Sequence, residues 1–147
     1  MTKDVLISVR GLQFPEGDAG DDIETVQQGE YYFRNGSHFL LFDEYMEGFR
    51  EPVSTLLRLK EKELTLTKKG LLNVQMFFEE NKKNLSQYRT PYGTMLIGLD
   101  TGRVESVIKE HELHLEVDYV LEANYQYVAD CHIVIDAREK GSGLVLQ

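Results

Sequence analysis

The chain has 147 residues, 41% of them hydrophobic, with 25 acidic and 16 basic side chains and a net charge of −9. A chain of this length suits one domain that buries roughly two-thirds of its unfolded surface. The acidity argues against nucleic acid and anionic lipid as partners, since both draw Lys and Arg to one face, and no run approaches the ~18 apolar residues of a membrane helix.

Val5, Ile7 and Val9 alternate with Leu6, Ser8 and Arg10. A period of two marks a strand with one buried face. Val5-Leu6-Ile7 is also too short to be the core of an export signal. Past Gly11 the apolar parity passes to Leu12 and Phe14, as a β-bulge would produce. Pro15 to Asp22 reads as a loop, and its carboxylates lack the spacing of a calcium loop.

From Ile23 to Tyr45 two aromatic-rich runs flank Asn35-Gly36, the signature of a type I′ hairpin. A two-residue turn there pairs Arg34 with Ser37, Phe33 with His38, Tyr32 with Phe39 and Tyr31 with Leu40. His38 beside Phe33 reads as a packing or surface histidine. Glu47 to Pro52 is a polar break. Val53–Leu59 and Glu63–Lys68 then form a pair around Lys60-Glu61-Lys62, and Leu72, Val74, Met76 and Phe78 make a further strand. Glu79 to Ser86, the most polar stretch, is expected to be an exposed loop.

Thr90-Pro91-Tyr92-Gly93 signals a turn. Between Gly93 and Lys109, Gly102 permits either one long bent strand or a hairpin. Leu113 to Ala137 carries the longest alternation. Leu113, Leu115, Val117, Tyr119 and Leu121 share one parity, as do Ala129, Cys131, Ile133 and Ile135, while charged residues occupy the other. Both arms keep their apolar side chains on odd numbers, so the connecting loop must hold an odd number of residues. A three-residue loop, Asn124 to Gln126, sets Asp118 opposite His132 and His114 opposite Asp136; a shift of two residues sets Glu116 opposite His132. Cys131, the lone cysteine, falls on the apolar parity and reads as a buried, inert thiol. One cysteine forms no intramolecular disulfide, which suits a reducing cytoplasm. The tail from Arg138 holds a Gly-Ser-Gly break and reads as frayed.

No stretch keeps a helical three-four spacing. About nine strands joined by short turns are expected, and closing such a meander into a barrel removes its exposed edges. Gly29 to Gly48, GEYYFRNGSHFLLFDEYMEG, resembles the early hairpin of the YwiB-like proteins. LTLTKKG running into NVQMFFEE, then YRTPYG and HLEVDYVLEAN, follow in the same order. The resemblance covers Val5 to about Arg138. It implies a small bacterial cytoplasmic protein of unknown function with a calycin-like, lipocalin-like β-barrel. Phe42-Asp43-Glu44 and Lys68-Lys69-Gly70 depart from the family's Tyr-x-Glu and Arg-x-Gly patterns, so no role needing a phenol or a guanidinium is carried over there.

The expected fold is therefore all-β, a single closed antiparallel meander barrel of about 8–10 strands spanning residues 1–138, with 139–147 a flexible tail. The sequence holds no phosphate-binding glycine loop, Cys-x-x-Cys pair, zinc-protease helix or nucleophile elbow, so it is read as non-enzymatic and free of cofactors. A barrel of about eight strands is filled by side chains or holds one small ligand. The first functional reading is a small, partly apolar molecule bound in the interior, with Met76 and Tyr119 facing inward and Glu44, Lys68 and Tyr88 near a mouth. The alternative is a protein–protein interaction module, or a self-associating one that forms a homo-oligomer, with a solid barrel. On the polar face of the long hairpin, His114, Asp118, His132 and Asp136 allow a weaker third idea, a divalent metal site. That face is convex, which favours plain surface ion pairs.

Overall fold

A computed structural model describes residues 1–11, 24–45 and 48–140. Ten strands follow one another: β1 (Asp4–Arg10), β2 (Glu24–Arg34), β3 (Ser37–Tyr45), β4 (Pro52–Lys60), β5 (Glu63–Lys69), β6 (Val74–Glu79), β7 (Lys82–Thr90), β8 (Gly93–Ile108), β9 (Glu112–Ala123) and β10 (Gln126–Glu139). They form one antiparallel sheet in the order β6-β5-β4-β3-β2-β1-β10-β9-β8-β7. Chain neighbours are sheet neighbours except β6 and β7, which end the sheet on either side, while β1 pairs with β10 and joins the two halves of the meander. The Leu12–Phe14 bulge and the Pro15–Asp22 loop lie outside the described residues, as do residues 46–47 and 141–147.

The Asn35-Gly36 turn forms as its sequence dictates. Both residues have positive φ, 51° and 78°, and the four expected pairs from Arg34–Ser37 to Tyr31–Leu40 are present. His38 packs against Phe33 and accepts or shares the Tyr31 hydroxyl proton at 2.8 Å. Between Lys60 and Glu63 the turn is two residues, Glu61-Lys62, one shorter than expected. Gly93 to Ile108 is one strand of 16 residues, kinked where the register slips at Gly102.

Three expectations fail here. The polar stretch Glu79–Ser86 is not a loop: it turns at Glu80-Asn81 and enters strand β7 at Lys82. The odd residue in the long hairpin is also placed differently. The turn is Asn124-Tyr125, with Ala123 opposite Gln126, and the register slips between Tyr127 and Ala129. A bulge at Val128 thus supplies the parity correction assigned to a three-residue loop. Beyond it, Asp118 faces His132 and His114 faces Asp136. At the far end β10 reaches Glu139, whose carboxylate accepts a bond from the Thr2 amide at 2.7 Å, so that residue belongs to the barrel rather than to a tail.

β6 and β7, the two ends of the sheet, meet along a seam. Only Asn73 and Arg89 exchange backbone hydrogen bonds there, at 3.0 and 2.9 Å. Continuing that register would oppose Gln75 with Gln87 and Phe77 with Leu85. Instead the strands splay, and β7 side chains reach across: Ser86 Oγ donates to the Gln75 carbonyl at 2.6 Å and Asn84 Nδ2 to the Phe77 carbonyl at 3.3 Å. The barrel is nearly closed, with polar side chains bridging what backbone pairing leaves open.

Inside, the middle of the barrel is packed. Leu66, Met76, Phe78, Val117 and Ile133 are each 0% exposed. A residue without accessible surface borders no space that admits water, so this layer is filled. Tyr119 lies here too, its ring edge-on to Phe78 at 4.9 Å between centroids. Gly29 lets β2 approach its neighbours: a Cβ there would stand 2.4 Å from Ile7 Cδ1 and 2.7 Å from the Leu41 carbonyl oxygen.

Candidate functional site

Side chains facing inward change character toward the end of the barrel where β1, β3, β5, β7 and β9 finish. On β2 to β5 the apolar alternation gives way to Gln27, Glu44, Thr55 and Lys68. The pairing explains why they meet. Thr55 is opposite Lys68 and Val53 opposite Glu44, and continuing the β2–β3 register would set Gln27 beside Glu44. Glu44 Oε1 accepts bonds from Thr55 Oγ1 at 2.6 Å and Lys68 Nζ at 2.8 Å. The Lys68 and Glu44 side chains are 10% and 21% exposed, so the pair is largely withdrawn from water. A charge in that setting needs its partner, because desolvation is offset only by a close ion pair with further hydrogen bonds.

Gln27 is different. Its Nε2 is buried and has no hydrogen-bond partner. Opposite this polar arc the rim is apolar: Tyr88, Met95 and Cys131 are partly buried against the core. Val53 and Val74 face inward at the same level as Glu44 and Lys68, with Phe42 and Ile97 beneath, all at 1–5% exposure. The end of the barrel is thus a half-polar, half-apolar mouth above a dry floor.

Of the five residues expected to line a ligand site, Glu44 and Lys68 are in direct contact at the mouth. Tyr88 stands at the same level, since Lys68 pairs with Val74 and the Asn73–Arg89 bridge brings the next position of β7 alongside. Met76 and Tyr119 lie deeper, inside the packed layer. Gln27 and Thr55 were missed by sequence reasoning. The Asn35-Gly36 register, legible in the sequence, already sets Gln27 against Glu44. Thr55 meets Lys68 because the Glu61-Lys62 turn holds two residues; the expected three-residue turn would set it opposite Thr67.

Cys131 is half-buried rather than fully buried. Burial pushes its thiol up from the ordinary value, and the neighbouring Tyr119 hydroxyl is pushed up by its own burial. Burial thus favours the protonated form of both, which disfavours nucleophilic attack by either.

The outer face of β8–β10 carries a continuous polar network. His114 Nδ1 bonds Asp136 at 2.5 Å and its Nε2 bonds Glu116 at 2.8 Å. His132 Nδ1 bonds Asp118 at 2.5 Å, and Arg103 donates to Asp118 at 2.6 Å and to Glu116 at 3.2 Å. Glu116, absent from the expected metal set, links its two halves. Hydrogen bonds from Asp136 first and Glu116 second raise the His114 pKa. Bonding to His114 lowers that of Glu116, and bonding to Arg103 lowers that of Asp118. The expected quartet of His114, Asp118, His132 and Asp136 is arranged as two separate pairs. Among the described residues no group of three or more His, Cys, Asp or Glu converges as metal ligands do. On a convex face this is a set of surface ion pairs.

A ten-stranded meander rolled into a nearly closed barrel with one polar end, and no helix among the described residues, defines the class: an all-β antiparallel barrel domain. The model of a domain of unknown function (DUF1934) matches residues 7–135, and the chain belongs to that family. Its fold is similar to that of the ywiB protein from Bacillus subtilis, with a TM-score of 0.78 over 95% of this chain and 93% of that one, at 18% identity. Identity at that level carries the fold alone. No curated protein matches the sequence. No helix among the described residues is long and apolar enough to cross a membrane.

Proposed function

We propose that this is a non-enzymatic binding protein that takes a small, partly apolar molecule into the polar end of its barrel. The buried, unpartnered Gln27 Nε2 carries this reading. A buried donor with no acceptor costs roughly 1–3 kcal/mol, and native proteins rarely leave one without reason. A ligand oxygen accepting from Gln27 removes that cost, while Lys68 offers further donor capacity and Glu44 a second acceptor oxygen. Tyr88, Met95 and Cys131 match an apolar portion. The family resemblance and the lone cysteine support a cytoplasmic setting.

Native mass spectrometry of the freshly purified chain is expected to show a mass increment that Gln27→Leu diminishes. No increment, joined to unmoved amide resonances of Gln27, Glu44 and Thr55 across a small-molecule fragment library, rules the reading out. The packed middle layer favours a second reading, an interaction module acting through its outer surface. Sedimentation velocity tests its self-associating form: a monomer at all concentrations excludes it.

A further inference from the structure

The outer surface has a concavity of its own. A groove of about 700 Å³ crosses the outside of β3 to β7 and ends over the β6–β7 seam. Its volume falls within the roughly 300–1,000 Å³ of small-molecule sites. The floor is Leu41 and Leu56, paired across β3 and β4 and each half-buried. Gln75 and Gln87 flank the seam, and Lys69 and Arg89 stand at the edge.

The charge of this lining runs against that of the molecule. The chain carries −9, yet no residue lining the groove is acidic. Lys68 also contributes to the wall, but its ammonium is turned to Glu44. Lys69 and Arg89 are exposed and have no ion-pair partner among the described residues; the Arg89 guanidinium donates only to Gln87, at 3.4 Å. Other cations are neutralised by acids, Lys3 by Glu30, Lys82 by Glu79, Lys83 by Glu122 and Arg103 by three carboxylates; what sets the groove apart is that its two exposed cations share a lining without a carboxylate.

From the apolar floor and the two free cations, we infer that this groove binds a small organic anion with an apolar body, independently of the mouth. The head group, carboxylate or phosphate, sits between Lys69 and Arg89, and the body lies over Leu41 and Leu56. Arg89 is suited to a bidentate grip on either head.

The test is an amide-resonance titration of the full chain with hexanoate, hexyl phosphate and hexanol. Either anion is expected to move Leu56, Thr67 and Gln87 and to bind roughly tenfold more tightly than hexanol. The double variant Lys69→Gln/Arg89→Gln is expected to remove most of that advantage, about threefold per cation, and the tighter anion names the head group. Equal binding of hexanol, no movement in the groove, or affinity unchanged in the double variant overturns the inference. Movement confined to Gln27, Glu44 and Thr55 also overturns it, and supports the mouth instead.

Discussion

Lys68 and Glu44 illustrate how two charges coexist at the end of an apolar barrel. Lys68→Met keeps the stem and removes the ammonium, leaving the Glu44 carboxylate with Thr55 alone. The expected cost is roughly 1–3 kcal/mol in urea denaturation. Glu44→Leu/Lys68→Met together are expected to cost less than the sum of the single changes, because no orphaned charge remains; additive losses would show that the two are not coupled. Gln27→Leu runs the other way. Removing a buried donor that has no partner is expected to stabilise the free protein by about 1 kcal/mol. At Gly29 the constraint is steric: Gly29→Ala brings a Cβ against the Leu41 carbonyl, an overpacking expected to cost roughly 1–3 kcal/mol, visible as a lower urea midpoint.

At the scale of elements, β7 is the instructive strand. KKNLSQYRT lacks aliphatic alternation because its less exposed positions, Asn84, Ser86 and Tyr88, adjoin the seam. The period-two rule reads burial, and here the strand uses polar side chains to satisfy carbonyls that a ladder would satisfy with backbone amides. Ser86→Ala removes the donor to Gln75. Its expected effect is about 1 kcal/mol, with faster hydrogen exchange confined to β6 and β7; uniform exchange across all ten strands would deny the seam any local role. The β9–β10 hairpin teaches the complementary lesson. Its parity correctly demanded an odd residue and left two registers open, of which the structure adopts the one with the Asp118–His132 and His114–Asp136 pairs. Alternation does not say whether that residue sits in the turn or in a bulge, and Val128 takes it.

For the whole molecule, the outer network links stability to pH. The His114 pKa is raised above its ordinary 6.5, so its contribution is complete below 6.5 and lost as pH rises through the folded value. Glu116 is lowered from 4.5, so its contribution is complete above 4.5 and lost as pH falls through the folded value. His38 opposes His114: burial lowers its pKa, so its share of stability falls away below 6.5. The difference in unfolding free energy between the parent and His114→Gln removes the His38 term. It is expected to be largest between about pH 4.5 and 6.5 and to decline as pH rises from 6.5 through the raised folded value. A difference that instead grows toward alkaline pH would contradict the assigned hydrogen bonds.

The sequence by itself determined the all-β class, the inward and outward faces of each aliphatic strand and the hairpin neighbours. These depend on side-chain parity and turn chemistry within about twenty residues. It also named Glu44 and Lys68, because polar residues on an inward parity stand out against their neighbours. Only the tertiary structure decided the rest: the β1–β10 junction, the β6–β7 seam, the filled layer around Met76 and Tyr119, and the company Gln27 keeps at the mouth. Those follow from how ten strands close on one another, a long-range geometry in which each residue's neighbours come from strands far away along the chain.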